Sequence, residues 1–239
     1  LDLKSMCKTS TNTFVIEVMG RHAGWIAASA ELANSTETTY VHKILLPEVR
    51  LDEEKFLTGV EKDISEHGFC VVVASEGLKD ETGKFYSESA AEDSFGHKQL
   101  GGVAPKIAEL IKRELSVKYH WAVSDYLQRS ARHLTSDTDM KQAIAVGKVA
   151  VDFALNGLSG VMPVIKRISD DPYRWEVGEG ALSEIANREK KVPAEYISNS
   201  GFGVRPEGKQ YLLPLIQGEC FPKFSNGLPV YDQLDLHLA

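Results

Sequence analysis

The stretch TFVIEVMGRHAGWIAASAELA, residues 13–33, decides the fold. Phe14, Val15, Ile16 and Val18 give the β-branched, aromatic run that a buried strand needs, so a strand is expected over 13–19. Gly20-Arg21 breaks it. Residues 23–33 then read as a helix, rich in Ala and with Trp25, Ile26 and Leu32 available for packing. Downstream, residues 40–46 form a second apolar run, stopped by Pro47. Residues 52–67 form an amphipathic helix with Phe56, Val60 and Ile64 at i, i+4, i+8. Strand 69–74 follows, then a polar stretch over 77–96 expected as loop or insertion. A helix over 103–117 has Pro105 in its first turn, with Ile107, Leu110 and Ile111 on one face. Strand 119–123, a long helix over 138–155 ending at Asn156-Gly157, and strand 161–165 complete the pattern. From Ser169 onward no period is clear.

Strands alternating with helices imply an α/β fold with a mostly parallel sheet covered on both faces. In such sheets ligands bind where loops converge at the carboxyl ends of strands. The functional search therefore falls on three segments: Met19-Gly20-Arg21, Ser75-Glu76-Gly77, and residues 125–132.

Composition narrows the class. The chain has 239 residues, 43% hydrophobic and 26% charged, which excludes a disordered or collagen-like polypeptide. No apolar run approaches the roughly 18 residues of a membrane span, so no membrane partner is expected. A net charge of −7 argues against nucleic acid as a partner. Cys7, Cys70 and Cys220 are far apart and odd in number, which suits a reducing cytoplasm better than a disulfide framework or zinc site. Cys70 sits inside Phe69-Cys70-Val71-Val72-Val73, where a buried, inert thiol is expected. Leu1 to Lys8 mix charges with apolar side chains and do not read as a secretory leader.

Each of the three segments carries usable chemistry. Gly20 permits a tight turn and close backbone approach, and Arg21 supplies a fork of donors for phosphate or sugar oxygens. Glu76 is a carboxylate that can accept bonds from two vicinal sugar hydroxyls. Tyr126-Leu127-Gln128-Arg129, followed by Arg132 and His133, combines a phenol and guanidiniums for an anion. Each also fits a plain alternative: a surface Arg at a turn, a loop Glu facing water, and a solvated basic turn. Residues 77–84 do not make a phosphate loop, because Phe85 stands where a magnesium-holding Ser or Thr is needed.

Taken together and in order, these segments resemble the phosphofructokinase family, most closely its pyrophosphate-dependent branch. Residues 14–27 look like that branch's M-G-R signature with its flanks. Ser75-Glu76-Gly77 falls where the family has a sugar-binding Glu. Tyr126-Leu127-Gln128-Arg129 looks like the branch's Y-x-x-R, and Leu100-Gly101-Gly102-Val103-Ala104-Pro105 is also similar. The resemblance covers roughly residues 1 to 165. It implies a three-layer α/β fold, incomplete in this chain. Residues 1–127 would form the sugar-phosphate-binding lobe, 128–165 would cross to the donor lobe, and 166–239 would be the carboxyl-terminal return and tail.

The resemblance further implies that Met19, Gly20 and Arg21 contact fructose 6-phosphate near the reacting end. Glu76 would hold sugar hydroxyls, and Tyr126 and Arg129 would bind the 6-phosphate. The donor would be pyrophosphate with Mg2+, and the enzyme a cytoplasmic homo-oligomer of glycolysis. Three departures bear on this. The family's Gly-Gly-Asp and Thr-Ile-Asp segments, which carry the donor site and the catalytic base, are not found in these residues. The chain is therefore expected to be the carboxyl-terminal part of such an enzyme, completed by an upstream half. Asn12 and His120 align with positions where ATP-using members place Arg across a subunit interface, and Ser130-Ala131 replaces the usual Gly-Gly. ATP as donor, or a non-catalytic regulatory subunit, are the alternative readings.

Overall fold

A computed structural model describes residues 2–92, 98–100 and 102–231. They form two compact units. The first comprises residues 1–128 and 189–212, and the second residues 129–188 and 213–239.

The first unit opens with helix α1, Asp2–Ser10, and strand β1, Thr13–Val18. A short helix α2, Trp25–Ser29, continues as a 3-10 turn over Ala30–Ala33. Strand β2, Lys43–Leu45, is followed by helix α3, Glu53–His67, and strand β3, Cys70–Ser75. Asp52 starts α3 by accepting the Lys55 N–H at 2.9 Å, which satisfies one donor that the helix cannot pair internally. Strands β4, Glu88–Glu92, and β5, Lys98–Leu100, precede helix α4, Val103–Leu115, and strand β6, Tyr119–Val123.

The sheet order is β2-β3-β1-β6, and every neighbour pair is parallel. All six residues of β3 are buried, as a strand covered on both faces requires. Helices α3 and α4 contribute Phe56, Val60, Ile107 and Ile111 to the core beneath Val15, Val72 and Ala74. Phe56 is fully buried, worth roughly 1.5–3 kcal/mol. Cys70 lies in the same core, and burial pushes its thiol pKa well up, so it is inert.

Helix α5, Leu127–Ser130, follows. In the second unit, helix α6, Asp137–Leu155, starts at Ser136, whose hydroxyl accepts the Asp139 N–H at 3.1 Å. Strands β7, Val161–Asp170, and β8, Tyr173–Ala181, make an antiparallel hairpin ending in helix α7, Leu182–Ile185. The Ser136 hydroxyl donates to the Leu215 carbonyl at 2.7 Å, and Arg132 donates to the Cys220 carbonyl, so residues 213–220 pack within this unit. Helix α8, Pro206–Leu212, belongs to the first unit, where Lys209 bonds the Asn34 carbonyl.

Three expectations are corrected. Residues 77–96 are not all loop: Glu88–Glu92 pairs antiparallel with Lys98–Leu100, and residues 93–97 lie outside the described residues. Such pairing is made by backbone groups and needs no apolar run. The strand at 161 does not join the parallel sheet and does not stop at Ile165. A hairpin strand with one exposed face accepts Lys166 there, and Arg167 on the half-buried face pairs with Asp170, which is why the apolar run ended before the strand did. Third, residues 23–33 are not one α-helix, since only Trp25–Ser29 is α-helical.

Candidate functional site

The site begins where β1 and β3 end. Because the two strands are parallel neighbours, Val18 stands beside Ser75 and the residues after each emerge together. The Glu76 N–H donates to the Val18 carbonyl at 2.9 Å, and the Gly20 N–H donates to Glu76 Oε1 at 3.1 Å. The Gly20 carbonyl accepts twice, from Ser75 Oγ at 2.5 Å and from the Gly77 N–H at 3.1 Å. Met19-Gly20-Arg21 and Ser75-Glu76-Gly77 are thus one bonded unit.

Glycine is required at both turns. Gly20 has φ +146°, outside the range of ordinary side chains. A Cβ on Gly77 would stand 1.8 Å from the Arg21 carbonyl oxygen, so the backbones pass with no room for a methyl group.

The loop after β6 is tied to the same strand end. The Ser124 N–H donates to the Glu17 carbonyl at 3.1 Å, and the Met19 N–H donates to Gln128 Oε1 at 3.2 Å. Gln128 Nε2 in turn donates to the Asp125 carbonyl at 3.0 Å. Tyr126 lies on this loop with 66% of its surface exposed, next to Asp125 in the left-handed region at φ +42°. Arg129 is exposed and opens the second unit. The structure therefore brings Gly20 and Glu76 into direct contact, with Met19 and Arg21 on either side of Gly20. It carries Tyr126 on a loop bonded to them and assigns Arg129 to the other unit.

Two carboxylates that sequence reasoning left without a role organise this region. Glu17 is 2% exposed in β1 and accepts the N–H groups of Gly102 at 3.1 Å and Ala104 at 2.9 Å, fixing the start of α4. Burial raises its pKa, the backbone N–H bonds oppose the rise, and the nearby charge of Glu76 adds to it. The signal was legible: a single carboxylate inside an apolar strand must be paired to stay there. Glu48 is the second, and it bonds the N–H groups of Gly24 and Val192. Nothing in the sequence linked residues 48 and 192.

His22 follows Arg21. Its ring lies 5.5 Å from that of Phe85, and its Nε2 is 3.7 Å from Glu189. Burial lowers its pKa, Glu189 opposes this, and Lys79, Arg21 and Lys191 lower it further. Arg21, Lys79 and Lys191 thus act on His22 against the single opposing charge of Glu189. Among the described residues no three His, Cys, Asp or Glu side chains cluster to hold a metal ion. No helix among them is long and apolar enough to cross a membrane.

Comparison with known proteins agrees with this geometry. The phosphofructokinase family model matches residues 2–154. The chain is 53% identical over 237 residues to the pyrophosphate–fructose 6-phosphate 1-phosphotransferase of Halomonas elongata. It is 55% identical over 230 residues to the protein of that name in Methylococcus capsulatus. These alignments cover 99% and 96% of the chain but 57% and 55% of the relatives, so the chain spans about half the length of the curated relatives it matches. The crystal structure of a pyrophosphate-dependent phosphofructokinase from Marinobacter aquaeolei superposes with a TM-score of 0.85 at 50% identity. That match covers all of this chain and 56% of the other. A match over most of the chain, with these two turns bonded at the ends of adjacent parallel strands, makes the chain a member of the phosphofructokinase family.

Proposed function

We propose that the complete protein transfers a phosphoryl group from pyrophosphate to the 1-hydroxyl of fructose 6-phosphate, and that this chain carries the sugar-phosphate site. The observation that carries the reading is the bonded pair of turns, Met19-Gly20-Arg21 and Ser75-Glu76-Gly77, in a chain more than half identical to enzymes named for that reaction. In this reading Met19, Gly20 and Arg21 contact the sugar near its reacting end. Glu76 uses one oxygen to hold the Gly20 N–H and accepts sugar hydroxyls with its remaining lone pairs. Tyr126 and Arg129 bind the 6-phosphate, Arg129 through its planar fork.

Phosphoryl transfer asks the protein mainly for positioning and charge neutralisation. This chain supplies the positioning of the acceptor. The base that takes the 1-hydroxyl proton and the donor site come from the rest of the protein. Mg2+ would supply charge neutralisation at the phosphates. The enzyme works as a homo-oligomer in the cytoplasm, in glycolysis and reversibly.

The test is formation of fructose 1,6-bisphosphate by the complete purified enzyme with each donor in turn. Turnover with pyrophosphate and not with ATP is expected, together with orthophosphate-dependent reversal. Activity with ATP alone overturns the donor assignment, and activity with neither overturns the reading.

A further inference from the structure

The turn over residues 19–24 is held at two places. Its first half is bonded at Gly20 by Ser75, Glu76 and Gly77. Its second half is bonded by Glu48, which follows Leu46-Pro47 at the exit of β2. Glu48 Oε1 accepts the Gly24 N–H at 2.9 Å and the Val192 N–H at 2.8 Å. Arg21 stands between the two anchors. Val192 is 3% exposed, and its segment is laced to the turn at two more points. The Trp25 indole N–H donates to the Lys190 carbonyl at 2.7 Å, and Lys190 Nζ lies 5.8 Å from the Trp25 ring.

We propose that Glu48 is a positioning residue for the sugar-phosphate site, joining the Arg21 turn to the returning segment 189–192. The inference rests on the functional reading above. A carboxylate oxygen that accepts two backbone N–H groups makes charge-assisted bonds, stronger than those of a neutral acceptor. Without it, two partly buried N–H groups lose their partner and the far half of the turn is freed. Arg21 then reaches its ligand only from a fraction of its conformations, and apparent affinity falls by that fraction. Positioning errors of this kind act on sugar binding and leave the donor's own contacts alone.

The experiment uses the complete enzyme and three variants. Glu48→Ala removes the acceptor. Glu48→Gln keeps an oxygen for both N–H groups, and its amide nitrogen takes the place of Oε2, which accepts no hydrogen bond among the described residues. Glu48→Asp withdraws the carboxylate by one methylene and serves if the Ala variant does not fold. Glu48→Ala should raise the fructose 6-phosphate KM about tenfold and leave the pyrophosphate KM within about twofold. Glu48→Asp should shift the sugar KM in the same sense, and Glu48→Gln should restore it to within about threefold. An unmoved sugar KM in a folded Ala or Asp variant overturns the inference, as does an equal rise for both substrates or a Gln variant as impaired as Ala. In each of those cases the wild-type enzyme still uses fructose 6-phosphate and the functional reading stands. A wild-type enzyme that does not use it overturns both.

Discussion

Strand β3 in the first unit and helix α6 in the second are both largely apolar, yet only one is buried. Every residue from Cys70 to Ser75 is buried, with helices packed against the sheet that holds them. None of the 19 residues of α6 is buried, and Ile144, Val151 and Leu155 are 50%, 58% and 81% exposed. The hairpin β7–β8 likewise alternates half-buried with exposed residues. Apolar sequence therefore decides what a segment can bury, and the neighbours available decide whether it does. A four-stranded parallel sheet with helices against it closes a core. Within this chain, the helix and hairpin of the second unit supply too little apolar surface to do the same.

The largest expected effect of this difference is on amide exchange. In the 239-residue chain alone, the amides of β1 and β3 should exchange only through opening of the whole first unit. Those of α6 and β7 should exchange at least about a hundredfold faster, since local opening costs little where few apolar contacts are lost. Mass-resolved hydrogen exchange reads both in one sample. Equal protection would show that the second unit closes a core of its own and would break the comparison.

The same contrast governs what the sequence disclosed. The parallel sheet was legible because its central strands β1 and β3 are dense β-branched runs, and the two turns were legible because Gly and a charged residue follow those runs closely. The hairpin was not, because Lys166 on its exposed face and Arg167 and Ser169 on its half-buried face interrupt its apolar run. The return of residues 189–212 to the first unit was hidden for another reason. It is held by single contacts, such as Glu48 with the Val192 N–H and Trp25 with the Lys190 carbonyl, which leave no periodic pattern. Glu17 was visible as an anomaly but unassigned, since its partners Gly102 and Ala104 lie 85 and 87 residues away.

A pair of glycine substitutions sharpens the comparison with opposite signs. In Gly77→Ala the new methyl would meet the Arg21 carbonyl oxygen at 1.8 Å and that of Gly20 at 2.5 Å, so backbone must move. Overpacking of this kind costs about 1–3 kcal/mol, and it should also weaken fructose 6-phosphate binding. Gly147 lies inside α6, and a Cβ there meets nothing within 4 Å. Gly147→Ala should stabilise by about 0.5–1 kcal/mol through helix propensity alone. Denaturant midpoints of the 239-residue chain measure both stability changes. Destabilisation by Gly147→Ala would mean that α6 packs more tightly than its exposure indicates.

The last effect is a pH dependence generated by burial in the first unit. His42 lies just before β2, and its Nδ1 accepts the Val71 N–H at 3.1 Å, so the ring is neutral with its proton on Nε2. Nε2 is buried without a hydrogen-bond partner among the described residues. Burial pulls the pKa of His42 down to about 4; Asp63 opposes this, while His67, Lys43 and Lys4 lower it further. The unfolded chain titrates His42 near 6.5. Between pH 6.5 and 4 the unfolded state thus binds a proton that the folded state refuses. Stability must fall as pH falls through that window, by at most about 1.4 kcal/mol per pH unit from this one group, and it must be indifferent to His42 above it. His42→Gln keeps an oxygen to accept the Val71 N–H and removes the titration. Urea unfolding at pH 7, 6 and 5 should show the wild-type protein losing more stability than the variant at each step downward, with the variant's curve the flatter. Parallel curves would mean that the core around His42 admits the proton, and the sharp difference in closure between the two units would have to be given up at this point of the first one.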